Sequence, residues 1–122
     1  AGSESLVMTP SRFDNLEKSL SFLYPNELQR IITSEQLLAE GETQHNCVYS
    51  RKDLIQSDRA AIFHWRFKNA GHTVQFSADR RGRYYLDEVK ARFNAECSQS
   101  AITRLREMLA AANHCQWIEP EK

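Results

Sequence analysis

The sequence predicts an α+β domain: an antiparallel meander of three or slightly more strands, packed against helices from the N-terminal and C-terminal ends of the chain. Three observations predict it. Apolar residues recur at three- and four-residue spacing near both ends, two-residue alternation fills most of residues 60–89, and short polar turns divide the alternating stretch.

Near the start of the chain, Thr9-Pro10 offers an N-cap and a first-turn proline, after which Phe13, Leu16, Leu20 and Leu23 line one side of a helix. Pro25-Asn26 interrupts it. Leu28, Ile31 and Ile32 fit a short strand or a helical turn equally well, and Ser34 is placed to cap a short helix running through Leu37-Leu38 to Gly41. Ala61, Phe63, Trp65 and Phe67 then alternate with Ile62, His64 and Arg66, the period of a strand with one buried face. Lys68-Asn69-Ala70-Gly71 reads as a turn, His72 to Ala78 as a second strand, Asp79-Arg80-Arg81-Gly82 as another turn, and Arg83 to Val89 as a third strand. Ser98 or Ser100 can start a final helix that aligns Ile102, Leu105, Met108, Leu109 and Ala112 and ends near Asn113.

A chain of 122 residues with 41% hydrophobic and 26% charged residues has the size and composition of one ordinary folded unit. Nothing approaches the apolar run of about 20 residues that a membrane-spanning helix needs. Sixteen basic residues balance sixteen acidic ones, so any attraction for nucleic acid must come from a local patch. Three cysteines without framework spacing point to a reducing, cytoplasmic compartment. Ala1-Gly2-Ser3 reads as an expression-tag remnant, residues 1–8 as a disordered start, 9–118 as the single domain and 119–122 as a frayed end.

Candidate chemistry begins in the run from Glu40 to Ser50, where His45 and Cys47 lie two residues apart just before a short predicted helix. A thiol at a helix start is favoured as a thiolate by the backbone dipoles. A papain-like arrangement would use Cys47 as nucleophile, His72 in preference to His64 as base, Asn94, Asp87 or Gln75 to orient that base, and Gln44 as an oxyanion donor. A second set of residues suits nucleic acid. Arg80, Arg81 and Arg83, with Tyr85, Lys90 and Arg92 on the strand that follows, would join phosphate-binding cations to an aromatic that stacks on bases. Zinc ligation by His45, Cys47 and some of His72, Cys97, His114 and Cys115 lacks the Cys-x-x-Cys spacing of strong sites, so neither a metal nor a cofactor is predicted. The plainest alternative makes Cys47 a packing residue in an interaction scaffold, and Trp65 and the phenylalanines core.

Glu40-Gly41, His45-x-Cys47-Val48, Thr73 in a strand pair and Asn94 after the third strand together resemble the PcfJ-like domain found in proteins of conjugative plasmids, phages and other mobile elements. The resemblance spans roughly residues 34–109. Asn46, Tyr49 and Arg51 stand where that family carries His, Gly and Tyr, and Glu88 and Ala91 where it carries Gln and Gly. It implies a module of a mobile-element protein that acts through nucleic acid or a protein partner. The residues themselves keep open a cysteine-dependent hydrolase, transferase or nuclease-type toxin domain, and a structural scaffold.

Overall fold

Two-residue alternation sorts the central side chains onto two faces, and each face meets a different layer. The computed structural model describes residues 4–115. In chain order these form α1 (Asp14–Leu23), β1 (Leu28–Arg30), α2 (Ser34–Gln44), a 3-10 turn (Val48–Arg51), α3 (Lys52–Gln56), β2 (Ala61–Phe67), β3 (Ala70–Ala78), β4 (Tyr84–Ala91), a second 3-10 turn (Arg92–Asn94) and α4 (Gln99–Cys115). The architecture is α+β, with one four-stranded antiparallel sheet in the order β1-β2-β3-β4. Its first strand comes from the segment whose sequence left strand and turn undecided.

The apolar face carries Ala61, Phe63 and Trp65 of β2 beside Val74 and Phe76 of β3, and α1 and α4 close over it with Phe13, Leu16, Leu20, Leu105 and Met108. Trp65 is fully buried, and Phe63 meets Phe76 edge-on at 5.5 Å between centroids. Each such side chain contributes about 1.5–3 kcal/mol by leaving water, which makes this layer the main source of stability. The opposite face holds a smaller cluster of Leu6, Ile31, Leu37, Val48, Ile55 and Ile62 under α2 and α3. On β3 that face is polar.

Local chemistry moved several boundaries. The first helix begins at Asp14 rather than beside Thr9-Pro10, because the Asp58 carboxylate binds the Ser11 hydroxyl at 2.7 Å and the Arg12 N–H at 2.8 Å and holds those residues in a turn. Thr33, not Ser34, caps α2, through a capping box with Gln36. Gly41 does not end that helix; it runs on to Gln44, and His45 takes the left-handed conformation at φ 52°. Within residues 4–8, Leu6 is buried and its N–H donates to the Ile32 carbonyl at 2.8 Å. The apolar side chain of Leu6 seals the smaller cluster, which composition near a chain end does not reveal. Residues 1–3 and 116–122, on which the tag and frayed-end expectations fall, lie outside the described residues.

The β2–β3 hairpin is tight. Lys68 and Asn69, both with positive φ, form a two-residue loop between Phe67 and Ala70, the geometry that matches strand twist. Asn113, expected to end α4, instead pairs with the sheet. Its amide accepts from the Tyr84 N–H at 2.9 Å and donates to the Tyr84 carbonyl at 2.8 Å, so it acts as a surrogate strand on the outer edge of β4. A β-bridge between Lys90 and Glu96 covers the other end, and the long edge strand is blunted at both ends.

Candidate nucleic-acid interface

The candidate site is built on the polar face of β3 and β4, starting from the residues that leave α2. Once His45 has turned the chain, Asn46 fastens the loop to the sheet. Its Nδ2 donates to Thr73 Oγ1 at 3.1 Å and its Oδ1 accepts the Val48 N–H at 3.0 Å. Thr73 in turn donates to Glu40 Oε2 at 2.6 Å, and both Glu40 oxygens lie within 3.0 Å of His64 Nδ1. Glu40 is buried, so this carboxylate needs those donors to offset the water it has lost. Gly71 makes the close packing possible, since a Cβ there would lie 2.5 Å from Gln44 Nε2 and 3.0 Å from His64 Cε1.

A second clamp lies further along the loop. Arg51 donates to Gln75 Oε1 and pairs with Glu88, while Gln75 Nε2 donates to Asp87 Oδ2 at 2.6 Å and Ser77 reaches the same oxygen at 3.1 Å. The segment carrying Cys47 is therefore anchored on either side of the cysteine. Cys47 itself is exposed.

Between the clamps lies a cavity of about 270 Å³, walled by the 46–51 loop, the polar face of β3 and β4, and Asn94. That is just below the roughly 300–1,000 Å³ of sites for drug-sized ligands. Most of its polar walls are already engaged with one another. Among the described residues no hydrogen bond or ion pair holds the Lys90 ammonium, the Asn94 amide or the Cys47 thiol, and these three residues line the cavity. Two cations, Arg51 and Lys90, stand against one carboxylate, Glu88, so the lining is net positive.

Beside the cavity the backbone is held in an uncommon state. Phe93 and Asn94 take φ of 64° and 57°, and a left-handed phenylalanine costs about 1–2 kcal/mol. Residues kept in such conformations cluster at functional sites. The outcome is an aromatic displayed to solvent: Phe93 is 64% exposed and lies flat on the His45 imidazole, with ring centroids 4.5 Å apart and planes 12° apart. The Arg92 guanidinium carbon lies 5.1 Å from the centre of the same ring.

The predicted site residues are only partly brought together. Cys47 and Asn94 share the cavity, and His45 stacks at its side. His72 does not join them. Its register beside Trp65, and its ring contacts with Trp65 at 5.1 Å and Phe67 at 6.5 Å, put it on the apolar face of the sheet. Burial there lowers its pKa, an effect that its bonds to the Ala70 and Trp65 backbones and the nearby His64 modify. Alternation explains the correction: adjacent His72 and Thr73 must point to opposite faces. His64, set aside in favour of His72, is on the polar face, but it opens onto a separate groove beside Gln29 and Thr43.

The basic set divides as well. Arg80, Arg81 and Arg83 occupy the exposed β3–β4 turn, where Asp79 Oδ1 accepts the N–H groups of Arg81 and Arg83 at 2.8 and 3.0 Å. Tyr85 is exposed near that end, opposite Ser77. Lys90 and Arg92 lie at the other end, about 20 Å away at strand rise. Asp87 and Glu88 stand on the strand between them.

No protein-family model, curated protein or solved structure matches this chain. The sequence named Glu40, His64 and Thr73 separately but did not show that they join in one buried network, and it did not single out Phe93. A signal for the first was present in Thr73, Gln75 and Ser77, three polar residues at alternate strand positions; Phe93 carried none, because an aromatic is expected in the core.

Proposed function

We propose that this chain is a PcfJ-like module of a mobile-element protein and that it binds unpaired nucleic acid at the cavity beside Cys47. The observation that carries the reading is the exposed stack of Phe93 on His45 next to a cavity whose free groups include a cation and an amide. Single-stranded binding needs those parts: aromatic faces for bases, a cation for phosphate, and donors and acceptors for base edges. The resemblance adds support, because seven of the positions on which it rests or from which it departs, Asn46, Cys47, Val48, Arg51, Thr73, Glu88 and Asn94, line this one cavity. Fluorescence anisotropy with a labelled oligonucleotide, single-stranded or annealed to its complement, tests it. The single strand should bind more tightly, and Phe93→Ala should weaken it about tenfold, the value of one stacked base. Equal binding of both forms, or no effect of Phe93→Ala, would sink the reading.

A second reading rests on the exposed thiol in the same cavity. Cysteine chemistry would use Cys47 with Asn94 as a polar partner, and its base would have to be other than His72. The rate of Cys47 alkylation against pH, with Cys97 and Cys115 replaced by serine, tests it: a midpoint well below the ordinary thiol value of about 8.5 favours this reading, and labelling only on unfolding removes it.

A further inference from the structure

We infer, on the reading just proposed, that the cavity receives one phosphate, that of a mononucleotide or of a strand end, and does not track a length of phosphate backbone. The arrangement of charge along β4 carries the inference. Lys90 is the cavity's unpaired cation among the described residues; the charge of Arg51 is taken up by Glu88 and its other arm by Gln75. Moving along the strand from Lys90 toward the hairpin, the next groups on the polar face are Glu88 and Asp87. Asp87 accepts from Gln75 and Ser77, both neutral, and makes no direct ion pair among the described residues; Arg51 reaches it only through the Gln75 amide.

A polyanion running from Lys90 toward Arg83, Arg81 and Arg80 would pass directly over that carboxylate. Like charges repel within about a Debye length, roughly 8–10 Å at ordinary salt, and the hairpin arginines are about 20 Å from Lys90. The nearest of them, Arg83, begins four residues or about 13 Å of strand from Asp87, beyond that length, so it offsets Asp87 only weakly where a second phosphate would lie. One phosphate fits without this conflict: it meets Lys90, with the Asn94 amide free to bond the attached sugar or base and the Phe93–His45 stack close by. Mononucleotide and strand end present the same phosphate, so the two sources are separated by experiment.

The test measures affinities of 3′-labelled oligothymidylates of about two and about twenty nucleotides, each with and without a 5′-phosphate, across a salt series, together with competition by unlabelled mononucleotide. Short and long phosphorylated strands should bind within about twofold of each other, with a log–log salt slope of about −0.7, the signature of one neutralised phosphate on a single strand. Removing the phosphate, or Lys90→Met, should each weaken binding about tenfold or more, the value of a hydrogen bond to a charged group. Competition by the mononucleotide at equal concentration identifies the free nucleotide as ligand; competition only by phosphorylated strands identifies a strand end. Affinity that climbs with length, a slope of several, and indifference to Lys90→Met would overturn the single-phosphate inference and leave nucleic-acid binding standing. No binding of any of these probes would overturn both.

Discussion

The two faces of the one sheet are built on opposite principles. The face under α1 and α4 is held by area: aromatic and aliphatic side chains from helices and strands interlock, and any one of them tolerates small shifts of the others. The face toward the 46–51 loop is held by geometry. Glu40, His64, Thr73, Asn46, Arg51, Gln75 and Glu88 each depend on a particular partner at hydrogen-bonding distance. Stability and the candidate site are thus separated across a single sheet thickness, so the first face can be perturbed without addressing the site, and the second cannot.

This contrast is tested most severely on the apolar face. Trp65→Ala should cost about 3–5 kcal/mol, read as a fall in urea midpoint, because the indole is fully buried and its loss leaves a cavity. A cost below about 1 kcal/mol would mean that this layer is not the core. On the polar face, Glu40→Leu keeps the volume and removes the acceptor, leaving His64 Nδ1 and Thr73 Oγ1 without their partner. About 2–3 kcal/mol should be lost, with Glu40→Gln milder because one acceptor oxygen remains. If the leucine variant equals or exceeds the wild type in stability, the network is not what holds the loop to the sheet.

A subtler change concerns a titrating group that burial places among the aromatics. The pKa of His72 is lowered in the folded state from its ordinary 6.5, chiefly by desolvation. Below that value the unfolded chain takes up a proton that the folded chain resists, so this contribution is intact near neutrality and declines as pH falls from 6.5 toward the depressed folded value. His72→Phe should change stability little at pH 7 and flatten its decline on acidification, measured by chemical denaturation at several pH values. An unchanged acid slope would show that His72 is not buried as a neutral group.

Much of this was legible in the residues themselves. Alternation in β2 and β3 identified both strands, because period two is imposed by the pleat and needs no tertiary information, but it did not show that His72 falls on the buried side of β3. The spacing of Leu105, Met108, Leu109 and Ala112 marked the buried stripe of α4 in the same way. Local rules failed where long-range partners overrode them. Asp58 delayed α1, Leu6 joined a cluster built from residues far along the chain, and Asn113 turned from a helix end to a strand edge.

Local period, turn chemistry and side-chain type were therefore enough to specify the α+β class, the strand meander, the helices from both ends and the interest of Cys47 and Asn94. Folding in three dimensions was needed to bring Cys47 and Asn94 into a cavity from which His72 is excluded, and to bury Glu40 on His64 and Thr73. The physical reason is that these are relations between residues roughly 20 to 50 positions apart, fixed by strand register and by which face each side chain takes, and a one-residue change of register would reverse every one of them.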